Sequence, residues 1–331
     1  MALDLYVIIG ISLCVTQPVT IIANLMTIAA FMKVPSLQTH TSNLLIFALS
    51  ITDLVCGVYQ LLYYGIPSAF GLRPPLGEIG CMVSVPLEYT YNTGNFLLIA
   101  ISIDRVLLVS MDYSQYVKMM TKFRLKALAG ICVMICQVAS IIELSFWNYA
   151  KRNNANAASI NFKKLCLFPA RRMNSFSIYV SVCYLFLPLI AVGIFSIIFV
   201  KRLLIRVRGP QRIAPVTDDN NSNIRSAGEN REEIAREETT TKKRYVKSAV
   251  TLAALVAAMG VSLLPYCTYR IVNALNGELN SNMEYAVYLA LQLNPLLDPL
   301  FFAATQKGIR EYYATKIRAI LRTFTAFRNP N

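Results

Sequence analysis

Residues 87–106 read LEYTYNTGNFLLIAISIDRV, with a glutamate near one end, an Asp-Arg pair near the other and only uncharged residues between them. If the stretch is one helix, Glu88 and Arg105 lie 17 residues apart. At about 1.5 Å rise per residue that is roughly 25 Å, close to the thickness of a bilayer's hydrocarbon core. The stretch therefore predicts a membrane-crossing helix with charge at both faces. Glu88, Asn92, Asn95 and Ser102 recur at helical spacing and draw a polar stripe down one side. A stripe of that kind needs protein around it, so this helix is expected to lie centrally in a bundle.

The rest of the chain agrees with that expectation. Its 331 residues are 55% hydrophobic and 15% charged, and the apolar residues come in long blocks, the composition of a polytopic membrane protein. Seven blocks are long enough to cross a bilayer: 6–32, 42–66, 81–110, 125–147, 176–200, 246–272 and 285–304. The predicted fold is an all-α seven-transmembrane bundle over residues 1–304. Residues 305–331 follow as a short amphipathic eighth helix and cytoplasmic tail, with Ile309, Tyr312, Tyr313, Ile317 and Ile320 near one face among basic residues. Residues 207–240 mix both charge signs with almost no apolar periodicity and read as a flexible cytoplasmic loop.

The net charge of +14 is distributed by topology. With the N-terminus outside, the four inner segments hold one, five, twelve and six basic residues, which is 24 of the 32 Lys and Arg. The positive-inside rule then sets an extracellular N-terminus and a cytoplasmic C-terminus. The partner implied by this charge is the lipid bilayer; nucleic acid is not implied. The first apolar run lacks a basic flank and a small-residue cleavage site, so it is expected to be a retained anchor.

Other function classes find little support. The eight cysteines show no CxxC or paired Cys/His spacing and the sole histidine is His40, so no metal site, cofactor or His-based hydrolase is expected. No internal repeat suggests the pseudo-symmetric halves of a transporter.

Polar residues deep in apolar spans are costly and informative. Asn24, Asp53, Asn294 and Asp298 are of this kind and are expected to face a common interior. Two readings stay open for them: helix-pinning alone, or a switchable network that holds a sodium ion near Asp53. Arg270 has three: pairing with Glu88, receiving an acidic ligand group, or reaching to the lipid headgroups.

Taken in order, Asn24, the run LSITD ending at Asp53, Cys81, Asp104-Arg105, Cys166, Pro188 in LFLPLI, Pro265 in LLPY and NPLLDP at 294–299 resemble the landmarks of a rhodopsin-like G-protein-coupled receptor. Within that family the chain is most similar to the aminergic receptors, above all the muscarinic acetylcholine and histamine-like ones. The resemblance implies a disulfide between Cys81 and Cys166, and a receptor, not an enzyme, in the plasma membrane. Its partners would be an extracellular small-molecule ligand and a heterotrimeric G protein. Glu88-Tyr89 stands where those receptors carry an Asp-Tyr pair whose aspartate binds an ammonium, and Tyr266 and Tyr288 match tyrosines that close over the cation. A carboxylate ringed by tyrosine faces suits a protonated or quaternary amine. The implied ligand-binding residues are Glu88, Tyr89, Asn92, Ser177, Tyr266, Tyr269, Tyr288 and Gln292. Asp104 and Arg105 are the implied G-protein-coupling residues. The alternative within the family is a peptide or chemosensory receptor with a vestigial amine pocket.

The chain also departs from the pattern. Gln137 and Leu263 replace two usual tryptophans, Asp-Arg-Val replaces Asp-Arg-Tyr, and DPLFF at 298–302 stands for Asn-Pro-x-x-Tyr. Ser196 takes the place of the usual fifth-span tyrosine. The count from Glu88 to Arg105 is 17, one below the aminergic spacing, so either a distortion near Gly94 absorbs the difference or Glu88 is turned by about 100°. The segment KKRYVK at 242–247 lacks the usual acidic partner for the arginine, which implies ligand-independent activity.

Overall fold

The third apolar block forms an unbroken α-helix from Gly77 to Ser110, longer than a bilayer needs. The computed structural model describes residues 5–39, 41, 43–72, 77–153, 178–208, 250, 253–273, 275 and 281–328, and no strand occurs among them. Seven helices among the described residues are long and apolar enough to cross a membrane. They are α1 (Leu5–Lys33), α2 (Asn43–Ala69), α3 (Gly77–Ser110), α4 (Lys122–Asn153), α5 (Ile178–Ile205), α6 (Ala253–Asn273) and α7. The last comprises Ser281–Leu291 and Leu293–Thr305, broken at Gln292. An eighth helix, α8 (Lys307–Arg328), follows directly. The 207–240 loop lies outside the described residues beyond the helical turn that ends at Arg208.

α3 packs against α2, α4 and α5 and reaches α7 through Tyr91, so it is the central helix. Val15, Ile22, Met134 and Ile197 are exposed on the bundle's outside, where lipid takes the place of water. Leu49, Leu97, Met259, Leu263 and Phe302 are buried in the principal core. Leu263 thus packs as an ordinary apolar core residue at its tryptophan position. Gln137 does something different: its Nε2 donates to the Pro86 carbonyl of α3 at 3.3 Å, tying α4 to α3.

Proline explains much of how the helices meet. A proline at position i has no N–H, so the carbonyl of residue i−4 loses its helical partner and in a membrane no water replaces it. Pro188 deprives Tyr184, and Asn95 of α3 donates to that carbonyl at 3.3 Å. Pro295 deprives Leu291, whose carbonyl accepts from the Tyr91 hydroxyl at 3.1 Å. Pro299 deprives Pro295, and Asn24 of α1 donates there at 3.2 Å. Three orphaned carbonyls are thereby converted into three contacts between helices.

Two stretches widen into π-helix, Gln60–Gly65 in α2 and Ser181–Phe186 in α5. Hydropathy gives no sign of either. Each re-aims the side chains on one flank of the helix. α8 is fastened beneath α1: the Tyr313 hydroxyl donates to the Ala23 carbonyl and lies 2.8 Å from the Thr27 hydroxyl. Burial pushes the Tyr313 hydroxyl up from its ordinary pKa, so it stays protonated as a donor. Ile317, Ile320 and Leu321 remain exposed on α8, the apolar side of an interfacial helix.

Candidate functional site

At the end of the bundle remote from Arg105, side chains of α2 to α7 line a common cavity that is open on one side. The π-turn in α2 brings Gln60 inward, 6% exposed, where it accepts a hydrogen bond from the Tyr288 hydroxyl of α7. Tyr64 meets the Tyr288 ring edge-on at 6.2 Å, and Tyr59 and Tyr63 stack behind it at 5.4 Å. Tyr288 is thus held by an amide at its hydroxyl and by an aromatic cluster at its ring.

α3 contributes Glu88, Tyr89, Tyr91 and Asn92 to the lining. Because α3 is α-helical throughout, no distortion near Gly94 supplies the residue missing from its count. Glu88 lines the cavity beside Glu143 of α4. The Tyr89 hydroxyl is directed at the Glu143 carboxyl, and the two act on each other.

α6 supplies the positive charge. Arg270 sits one turn beyond Tyr266; its Nη1 donates to the Tyr266 hydroxyl at 3.0 Å and its guanidinium carbon lies 5.6 Å from that ring's centroid. It lines the cavity. Glu88 and Glu143 both act on it electrostatically, yet among the described residues neither comes within 4.0 Å to form an ion pair. Two carboxyl groups and one guanidinium share the space, so with all three ionised the lining carries a formal charge of −1.

Of the ligand-binding residues expected from the sequence, Glu88, Tyr89, Asn92, Tyr266, Tyr288 and Gln292 line this one cavity. Tyr269 does not; it packs against the principal core. Ser177 lies outside the described residues, as do Cys166 and the side chain of Cys81. The sequence reading missed Glu143, Gln60 and Tyr91. Glu143 carried a readable signal, an acid within an apolar span, the same signal that singled out Asp53. Gln60 carried none, because its inward direction depends on the π-turn.

At the opposite end Asp104 is 1% exposed and holds the neighbouring Arg105 at 3.9 Å. Tyr116, on the short helix Tyr113–Met119, donates to the same carboxylate at 2.6 Å. The basic run at 242–247 lies outside the described residues. Midway between the two ends, Asp53 and Asp298 face each other, 4% and 0% exposed. No other residue donates to Oδ2 of Asp53 or to either carboxyl oxygen of Asp298, and the two carboxyls lie close enough to share a proton by a hydrogen bond between them. Asn294 is likewise buried, with its carbonyl oxygen unpartnered.

Relatives are consistent with this geometry. The chain is 29% identical to the muscarinic acetylcholine receptor M2 of Gallus gallus over 136 residues, 40% of this chain but only 28% of that receptor. It is 24% identical to adenosine receptor A3 of Bos taurus over 90% of this chain and 86% of the relative. It is also 24% identical to trace amine-associated receptor 9 of Rattus norvegicus, over 95% and 88% respectively. The similarity therefore extends beyond the muscarinic branch. Residues 23–302 match the family described as 7 transmembrane receptor (rhodopsin family). The chain belongs to that family: it is a multi-pass membrane receptor of the rhodopsin type, and not an enzyme.

Proposed function

We propose that this receptor binds a small extracellular amine in the cavity of Glu88 and activates a heterotrimeric G protein through the Asp104-Arg105 end. In this reading it resides in the plasma membrane with its N-terminus outside, an orientation supported by its basic inner segments. The observation that carries the reading is the cavity's lining, which brings together two carboxyl groups, one guanidinium and the rings of Tyr89, Tyr91, Tyr266 and Tyr288. An ammonium entering it gains charge pairing and cation–π attraction in a water-poor space, each worth about 0.5–2 kcal/mol or more. Binding then biases a two-state bundle, with α6 swinging about Pro265 and Arg105 leaving Asp104 for the G protein. The interior pair of Asp53 and Asp298 holds sodium in the resting state.

The test is nucleotide exchange on reconstituted G proteins by membranes that bear the full chain. Acetylcholine, histamine and trace amines are supplied in turn. At least one is expected to accelerate exchange. Silence of the whole panel, with the receptor folded and at the cell surface, contradicts the amine reading.

A further inference from the structure

Resting on the amine reading, we propose that the ligand is a zwitterion: a small primary amine that also carries a carboxylate or an equivalent anionic group, received by Arg270. A simple amine accounts for only part of the cavity. It pairs with the carboxyl groups and leaves the guanidinium without an anion at contact distance. Arg270 is stationed in a membrane-embedded wall, where a charged group is expensive unless it is matched. The bundle fixes it with neutral partners, the Tyr266 hydroxyl at 3.0 Å and the Tyr266 ring. Its Nε is buried without an acceptor.

A guanidinium whose only role was to silence Glu88 would sit against that carboxylate. Here no carboxylate lies within 4.0 Å of it among the described residues. Positive and negative charges are instead held apart across an open space. Glu88 and Tyr89 line it from α3, Glu143 from α4 and Arg270 from α6. Tyr89, 3% exposed, lines the cavity beside Glu143, its hydroxyl directed at that carboxyl. A ligand carboxylate is an acceptor for Arg270 and an ammonium is a donor to Glu88 and Glu143. A single zwitterion therefore satisfies both signs, as neither a plain amine nor a plain acid does. The planar, multi-donor guanidinium matches a carboxylate in two parallel hydrogen bonds.

The experiment uses matched probes that differ only in the carboxylate: each common amino acid beside the amine left by its decarboxylation, for example phenylalanine beside 2-phenylethylamine. Binding is read on membranes carrying the full chain as thermal stabilisation and as G-protein nucleotide exchange. The proposal expects at least one amino acid to be about 10- to 100-fold more potent than its own amine, the factor that a charge-assisted hydrogen bond supplies. Arg270→Gln then removes that difference by weakening the amino acid and sparing the amine. Amines that equal or surpass their amino acids throughout overturn the proposal and leave the amine reading intact. So does a panel in which no amino acid stabilises the receptor at millimolar concentration. An amino acid preference that persists in Arg270→Gln also overturns it. If Glu88→Gln and Glu143→Gln leave every response unchanged, the amine reading itself fails, and the proposal with it.

Discussion

The Tyr184 carbonyl, four residues ahead of Pro188, accepts its hydrogen bond from Asn95 on the neighbouring helix, at 3.3 Å. The relationship makes a specific prediction because the need for Asn95 is created by the proline. Asn95→Ala should lower stability by about 0.6–2 kcal/mol, the range for buried polar contacts between membrane helices. Pro188→Ala restores an N–H that can take the Tyr184 carbonyl itself. In that background the penalty of Asn95→Ala should shrink towards zero, giving a coupling measurable by a double-mutant cycle on thermal unfolding in detergent. Equal penalties in both backgrounds would refute the account.

Close helix packing gives a second prediction. A Cβ built on Gly10 of α1 would fall 2.1 Å from the Ala69 nitrogen of α2, against backbone that cannot rotate away. Gly10→Ala should force the two helices apart and cost about 1–3 kcal/mol, as overpacking does. Gly193 has nothing within 4 Å of its would-be Cβ. Gly193→Ala should accordingly be neutral, or stabilising by up to about 1 kcal/mol. Thermal melting of the two variants side by side decides it.

These two cases mark what was legible in the sequence. Seven spans and the centrality of α3 follow from hydropathy and from the stripe of Glu88, Asn92, Asn95 and Ser102, since both depend only on periodicity. The prolines at 188, 295 and 299 were visible, but the partners of the carbonyls they orphan were not. Those partners lie on other helices, and periodicity says nothing about which helix stands opposite. The inward turn of Gln60 depends on hydrogen bonds that skip an extra residue, which leaves no trace in apolar spacing. Glu143 was legible in principle, as a lone acid in IIELSF, but its meeting with Glu88 across α3 and α4 required the bundle.

The effector end supplies a third prediction. Arg105 lies 3.9 Å from Oδ2 of its own neighbour Asp104, and Tyr116 donates to the other oxygen, Oδ1, at 2.6 Å, drawing charge from the same carboxylate. Basal nucleotide exchange should be measurable without ligand. Tyr116→Phe frees the carboxylate to bind Arg105 more fully, so basal exchange should fall by roughly 2- to 10-fold, the worth of one hydrogen bond to a charged group. An increase in basal exchange would show that Tyr116 restrains Arg105 instead.

The apposed carboxyls of Asp53 and Asp298 give a fourth. Replacing sodium in the buffer by N-methylglucamine should lower the melting temperature of the wild-type receptor. Asp298→Asn removes one of the two charges that a cation would neutralise and should abolish most of that difference. A sodium response that survives the substitution places the ion elsewhere.

The central claim is that Glu88 recognises the ligand's ammonium although it stands 17 residues from Arg105, one below the aminergic spacing, and the most direct measurement is ligand affinity in Glu88→Gln. The substitution preserves shape and removes charge. Using whichever amine or amino acid activates the wild-type receptor, the dissociation constant should rise by about 10- to 150-fold, equivalent to about 1.5–3 kcal/mol. Glu143→Gln should produce a smaller rise. An affinity unchanged in Glu88→Gln, in a variant that still folds and still couples through Arg105, would contradict the account.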